Sequence, residues 1–240
     1  MICVGNTNGV ECRDTIKKCY CNVSSLVQGT TCEIGAFTYT YKKKASATAW
    51  TNITDDGWGV KLTNKNSTAP VTDTMCAYIN DKPLVNTMHA FTSSKATSID
   101  VSNYYMKNVN QMTYMFNKAA ATEIIGISNF GQINAANIGG MFAEMPNIRV
   151  LDLTGWDTSN VTNFNYLFRK ASSLETIYAS TSFVTNLSGQ TGSNVFSDCN
   201  SLVGGAGTLY NTSYTNKTYA RIDGLNGLPG YFTEGPTPTN

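Results

Sequence analysis

The sequence predicts an α/β repeat array in which parallel strands alternate with short helices over about 4–5 stacked coils, behind a β-rich N-terminal cap. Three observations carry this. Phe91, Phe116, Phe142, Phe168 and Phe196 recur at separations of 25, 26, 26 and 28 residues. Apolar residues step by three towards these phenylalanines, the period of one stripe on a helix or helical turn. Apolar residues also step by two further along each unit, the period of a strand with one buried face.

Each element follows from those registers. Seven, four and one residues before successive phenylalanines stand Val109, Met112 and Met115, then Ala135, Ile138 and Met141, then Val161, Phe164 and Leu167. Nine and eleven residues after them come Ile125 and Ile127, Leu151 and Leu153, Ile177 and Ala179, read as inward strand positions. Phe130 and Trp156 follow at fourteen. One unit has too little apolar surface to fold alone, so stacked units must bury a shared core. A fixed period of this length with one strand per unit is a leucine-rich-repeat signature. The same phase turns Asp100 and Ser102, Ser128, Val150, Asp152 and Thr154, and Thr176, Tyr178 and Ser180 outward. These nine form the candidate binding face.

The stretch "LDLTGWDTSNVTNFNYLF" and its sister "VNQMTYMF" resemble the BspA-like leucine-rich-repeat surface proteins of bacteria. The match is to their 25-residue variant, Leu-Asp-Leu-Ser-x-Trp-Asp-Thr-Ser-x-Val-x-x-Met-x-x-Met-Phe. The resemblance covers about residues 58–232 and is most specific at Trp156–Asn160. "GQINAANIGG" lacks the Asp-Thr-Ser run, and "SFVTNLSGQTGSNVF" is degenerate. The resemblance implies a secreted or wall-attached bacterial protein engaged in adhesion or partner binding.

Cysteine usage points to the same compartment. Six of the seven cysteines, Cys3, Cys12, Cys19, Cys21, Cys32 and Cys76, lie in the first third of the chain. They lack paired Cys-x2-Cys units and a nearby histidine, so disulfides are expected rather than a metal site, with pairing left open. Cys199 is expected to be a buried free thiol. No export signal is visible, so Met1 is expected to begin a trimmed fragment. No run reaches the roughly 18 apolar residues of a membrane helix. The expected organisation is a Cys-rich segment (1–49), a β-rich cap (50–82), the repeat array (83–205), a C-terminal cap (206–232) and a Pro/Thr linker (233–240). Tyr219, Ile222, Tyr231 and Phe232 are the expected capping side chains.

Composition restricts function. The net charge is +1 and only 14% of residues are charged, which gives no field for nucleic acid or an acidic membrane. His89 is the only histidine, so a Ser-His-Asp or Cys-His pair would have to use it. Its place in the repeat predicts packing or a polar edge. Asp55 and Asp56 lack cation-loop spacing and predict a turn. The run Lys42–Lys44 reads as a solvated strand end, or a contact for an acidic polymer. Three of the methionines sit in the core stripe, which predicts packing rather than copper binding. No nucleophile elbow, zinc-protease motif or phosphate loop occurs. The expectation is a non-enzymatic, cofactor-free protein of the bacterial cell surface. It would bind a protein or glycan on a host or neighbouring cell through the strand face. The alternative is a pilin-like or stalk subunit whose repeats act as spacer.

Overall fold

The computed structural model describes residues 16–43 and 56–235. Cys3, Cys12, Lys44, Asp55 and residues 236–240 lie outside them. Among the described residues, eleven strands and three short 3-10 turns make up the regular structure, and there is no α-helix. The α/β expectation is therefore overturned, and the chain forms no leucine-rich-repeat-type solenoid. Its largest element is a mixed six-stranded sheet, and the all-parallel sheets are two small, separate ones of three and two strands.

The large sheet is built from β1 (Lys18–Cys19), β2 (Thr31–Ile34), β3 (Phe37–Lys42), β4 (Gly57–Leu62), β5 (Tyr78–Ile79) and β6 (Lys82–Asn86), in the order β1-β5-β6-β4-β3-β2. Strand β3 alternates strictly, with Phe37, Tyr39 and Tyr41 buried and Thr38, Thr40 and Lys42 on the other face. Asn80 and Asp81 both adopt positive φ between β5 and β6, the two-residue turn that matches the twist of an antiparallel pair. Trp58 is fully buried and its indole donates to the Ile79 carbonyl at 2.9 Å.

Strands β1 and β2 are the two edges of this sheet, and the Cys21–Cys32 disulfide joins the chain two residues past β1 to β2, with Cα atoms 6.2 Å apart. Such a link requires the sheet to curl into a half-barrel. It also shields two edges that otherwise present unpaired backbone groups. A second disulfide, Cys19–Cys76, ties β1 to the chain entering β5. Four of the six candidate cysteines are accounted for in this way.

Beyond residue 86 the chain winds through repeated turns, and left-handed backbone explains why no helix forms. Two residues before each aligned phenylalanine stand His89, Tyr114, Gly140, Tyr166 and Asn194, and two after stand Ser93, Lys118, Glu144, Lys170 and Asp198. All ten have positive φ. For non-glycine residues that conformation costs about 1–2 kcal/mol each and cannot continue an α-helix. The amides bond across coils instead of along them. Phe91 donates to Met115 O (2.8 Å), and Phe116, Phe142 and Phe168 donate to Met141, Leu167 and Val195 (each 2.9 Å). The period of three is real, but it is the period of successive turns. All nine apolar residues of the three stripes are buried.

These coils align the phenylalanines into a column. Phe91–Phe116, Phe116–Phe142, Phe142–Phe168 and Phe168–Phe196 have centroids 5.3, 5.7, 5.7 and 5.5 Å apart and planes within 14°. Edge-on rings close both ends: Phe37 of β3 meets Phe91 at 6.0 Å, and Tyr231 meets Phe196 at 4.9 Å. A second, shorter column runs from Phe130 through Trp156 to Phe183 and ends edge-on against Phe232. Of the expected caps, Ile222, Tyr231 and Phe232 are buried and Tyr219 is partly buried.

The parallel strands are β7 (Ser98–Asp100) with β8 (Glu123–Ile125), and β9 (Val150–Leu153) with β10 (Thr176–Ala179) and β11 (Phe232–Glu234). Pairing stops between β8 and β9 because Gly126, at φ +73°, turns the chain into a 3-10 turn over Ile127–Phe130. A side chain at Gly126 would sit 2.3 Å from the Ser102 hydroxyl, so the turn requires glycine. In this unit the strand phase is also inverted: Ile124 is buried and Ile125 is exposed.

Candidate functional site

The nine outward candidates do not form one face. Val150, Asp152, Thr154, Thr176, Tyr178 and Ser180 gather on and just after β9 and β10, where Val150 pairs with Thr176 and Asp152 with Tyr178. Asp100 and Ser102 belong to the separate β7–β8 sheet, and Ser128 lies in the 3-10 turn. Thr233 was missed. It pairs with Tyr178 from the other side, in a stretch that composition marked as linker. The signal for it was Phe232, whose burial sets an alternation that places the next residue outward.

Several candidates have structural duties. Asp152 Oδ1 accepts from the amide (3.0 Å) and hydroxyl (2.6 Å) of Thr154, and Thr154 is buried. Asp100 Oδ1 accepts from the Ser102 amide at 2.9 Å. Both aspartates end their strands by accepting from the residue two positions on, the Asx-turn arrangement. Tyr178 differs from them. It is half-exposed at the centre of the row Asp152–Tyr178–Thr233. No hydrogen bond, ring contact or cation among the described residues engages its phenol.

His89 and Cys199 are both engaged within the fold. Thr92 Oγ1 donates to the Tyr114 carbonyl at 2.8 Å, so His89 Nδ1, 2.9 Å away, must be the donor in their contact. The imidazole therefore cannot draw a proton from that hydroxyl. Burial, then Lys61 and Lys65, hold the His89 pKa below its usual value. Cys199 is buried with Sγ 3.0 Å from the Phe168 carbonyl. Burial first, with Asp198 adding to it, pushes its thiol up to about 12, so it is protonated at neutral pH. Among the described residues no cluster of three or more His, Cys, Asp or Glu is placed to hold a metal ion. No helix of the described residues is long and apolar enough to cross a membrane.

These features define an all-β, disulfide-linked protein of stacked turns with one solvent-facing aromatic on a parallel sheet. The family model described as "Mycoplasma protein of unknown function, DUF285" matches residues 85–208, just over half of the chain. The chain belongs to that family. No curated protein and no solved structure matches it.

Proposed function

We propose that this is a non-enzymatic protein of the bacterial cell surface that binds a protein or glycan partner through the exposed side of β9, β10 and β11. The observation that carries the reading is Tyr178. A half-exposed ring with an unengaged hydroxyl offers large contact area and one hydrogen bond at low entropic cost. Thr233 and Asp152, whose Oδ2 has no partner among the described residues, flank it in register and add polar contacts.

Two disulfides support an oxidising compartment, and the resemblance to BspA-like proteins supports the cell surface. The test is a screen of the whole protein against glycan and extracellular-protein arrays, run beside Tyr178→Ser. A ligand bound by the parent protein and lost by the variant supports the proposal. No ligand on either array would favour the stalk reading, in which the repeats only set distance.

A further inference from the structure

The outer face of the six-stranded sheet carries a second feature, far in sequence from Tyr178. Thr38, Thr40 and Lys42 of β3 and Lys61 of β4 line a groove of about 480 Å³, which continues past Thr63 to His89. Its size lies within the range of about 300–1,000 Å³ usual for small-molecule sites. Gly59 makes the floor, where a side chain would meet the Lys42 stem at 3.5 Å and Asn86 beyond it. Thr38 lies directly opposite Lys61 in the β3–β4 register, and its hydroxyl is 2.8 Å from that of Thr63.

The charge in this groove is one-sided. No carboxylate lines it, and among the described residues none of Lys42, Lys61 and Lys65 pairs with one. Glu33, opposite Thr38 on edge strand β2, shares this face of the sheet but does not line the groove. Lys65 donates to the His89 carbonyl at 3.1 Å, which holds its ammonium at the same end. Burial first, and then the charge of Lys61, lower the pKa of Lys42 and of Lys65. Lys42 and Lys61 thus line one groove, with Lys65 at its His89 end but outside the lining, and among the described residues none has a carboxylate partner, in a chain of net charge only +1.

The remaining lining is hydroxyl, amide, one flat ring and the apolar Val60, Leu62 and Met88. Tyr114 stacks on one face of His89 at 5.3 Å with planes 6° apart, and His89 lines the groove. We propose that this groove binds an acidic saccharide, its carboxylate or sulfate held by Lys42 and Lys61 and its ring laid against His89. Thr40, Thr63 and Asn86 supply partners for sugar hydroxyls. Of the two described lysines in the run Lys42–Lys44, Lys42 lines this groove and Lys43 does not.

Calorimetric titration of the whole chain tests this with three probes: a heparin-derived tetrasaccharide, a neutral N-acetylglucosamine tetrasaccharide and inorganic sulfate. The acidic tetrasaccharide should bind at least about tenfold more tightly than either other probe, and its affinity should fall as salt rises. Lys61→Glu should abolish binding, and Lys42→Ala should weaken it about tenfold. Lys118→Ala, remote from the groove, should change nothing. The His89 imidazole resonances should shift on binding, and Tyr178→Ser should bind normally. Failure of this proposal and failure of the strand-face reading are therefore distinguishable. Equal affinity for sulfate alone, equal loss in Lys118→Ala, an unmoved His89 or no binding at all would overturn it. Lys61 is exposed, so Lys61→Glu should fold; an unchanged melt confirms that, and Lys42→Ala decides the matter if it does not.

Discussion

Phe142 stacks on Phe168 at 5.7 Å with planes 6° apart, while its own amide donates to Leu167, the residue beside that phenylalanine. Ring and backbone thus join the same two coils. Truncating Phe142 removes contacts to Phe116 and Phe168 together and leaves a void at the centre of the column. Phe142→Ala should cost about 3–5 kcal/mol. Val150→Ala, at an exposed strand position, should stay within about 0.5 kcal/mol. Urea denaturation of both variants measures the difference, and equal effects would contradict the column as the main source of stability.

Leu153 and Asp152 are neighbours on β9 with opposite directions. Leu153 is fully buried, so Leu153→Ala should cost about 2–5 kcal/mol. An outward position by itself predicts a silent change at Asp152, but its two bonds to Thr154 alter that expectation. Asp152→Ala should cost about 1–2 kcal/mol, and Asp152→Asn less, since the amide oxygen still accepts. A silent Asp152→Ala would show that the turn forms without its side chain.

Cys199 should resist labelling. Burial and a raised thiol pKa both remove the reactive thiolate. Iodoacetamide should leave the Cys199 peptide unmodified in native protein and label it only after unfolding. Reducing Cys19–Cys76 and Cys21–Cys32 should destabilise the fold by about 2–5 kcal/mol per bridge, chiefly by freeing the unfolded chain. Rapid native labelling of Cys199 would contradict its placement.

Asp223 gives the fold an acid-sensitive point. Burial raises its pKa, but donors from Thr208 (amide and hydroxyl), Gly230 and Ala206 outweigh burial, and the net shift is below the ordinary 3.8. Its contribution is therefore complete above that ordinary value and is lost as pH falls through the lower folded-state value. Asp223→Asn should flatten the acid side of the stability curve. Asp223→Ala should cost about 2–4 kcal/mol at neutral pH, because three backbone amides lose their acceptor. An unchanged acid limb in Asp223→Asn would assign the pH dependence elsewhere.

The sequence showed which side chains are inside the repeats more clearly than what backbone carries them. Met112, Met115 and Phe116 are buried whether the chain turns as a helix or as successive bends, because both repeat near three residues. The left-handed positions decide between them, and Tyr114, Lys118 and Glu144 carry no local mark of that conformation. Gly140, Asn194, Asp198 and His89 do, but four such residues in ten, scattered over different coils, do not mark a pattern. At Glu123–Ile125 two adjacent isoleucines left the strand phase ambiguous, and Gly126 was the sole sign that the strand ends early. Among the candidate site residues, Tyr178 was legible from alternation alone. The duties of Asp100 and Asp152 were less so, since an Asp-x-Ser or Asp-x-Thr run reads equally as surface polarity or as a turn. The lysine groove depends on pairing between β3, β4 and the chain after β6, which no local pattern displays.

The central claim is that Tyr178 serves a partner and not the fold. The direct measurement is melting temperature and binding of the array-identified partner, in the presence of excess acidic tetrasaccharide to fill the lysine groove, on one preparation of Tyr178→Ser. The account predicts a melting temperature close to that of the parent protein, with binding abolished. A large fall in melting temperature, or binding that survives the change, would contradict it.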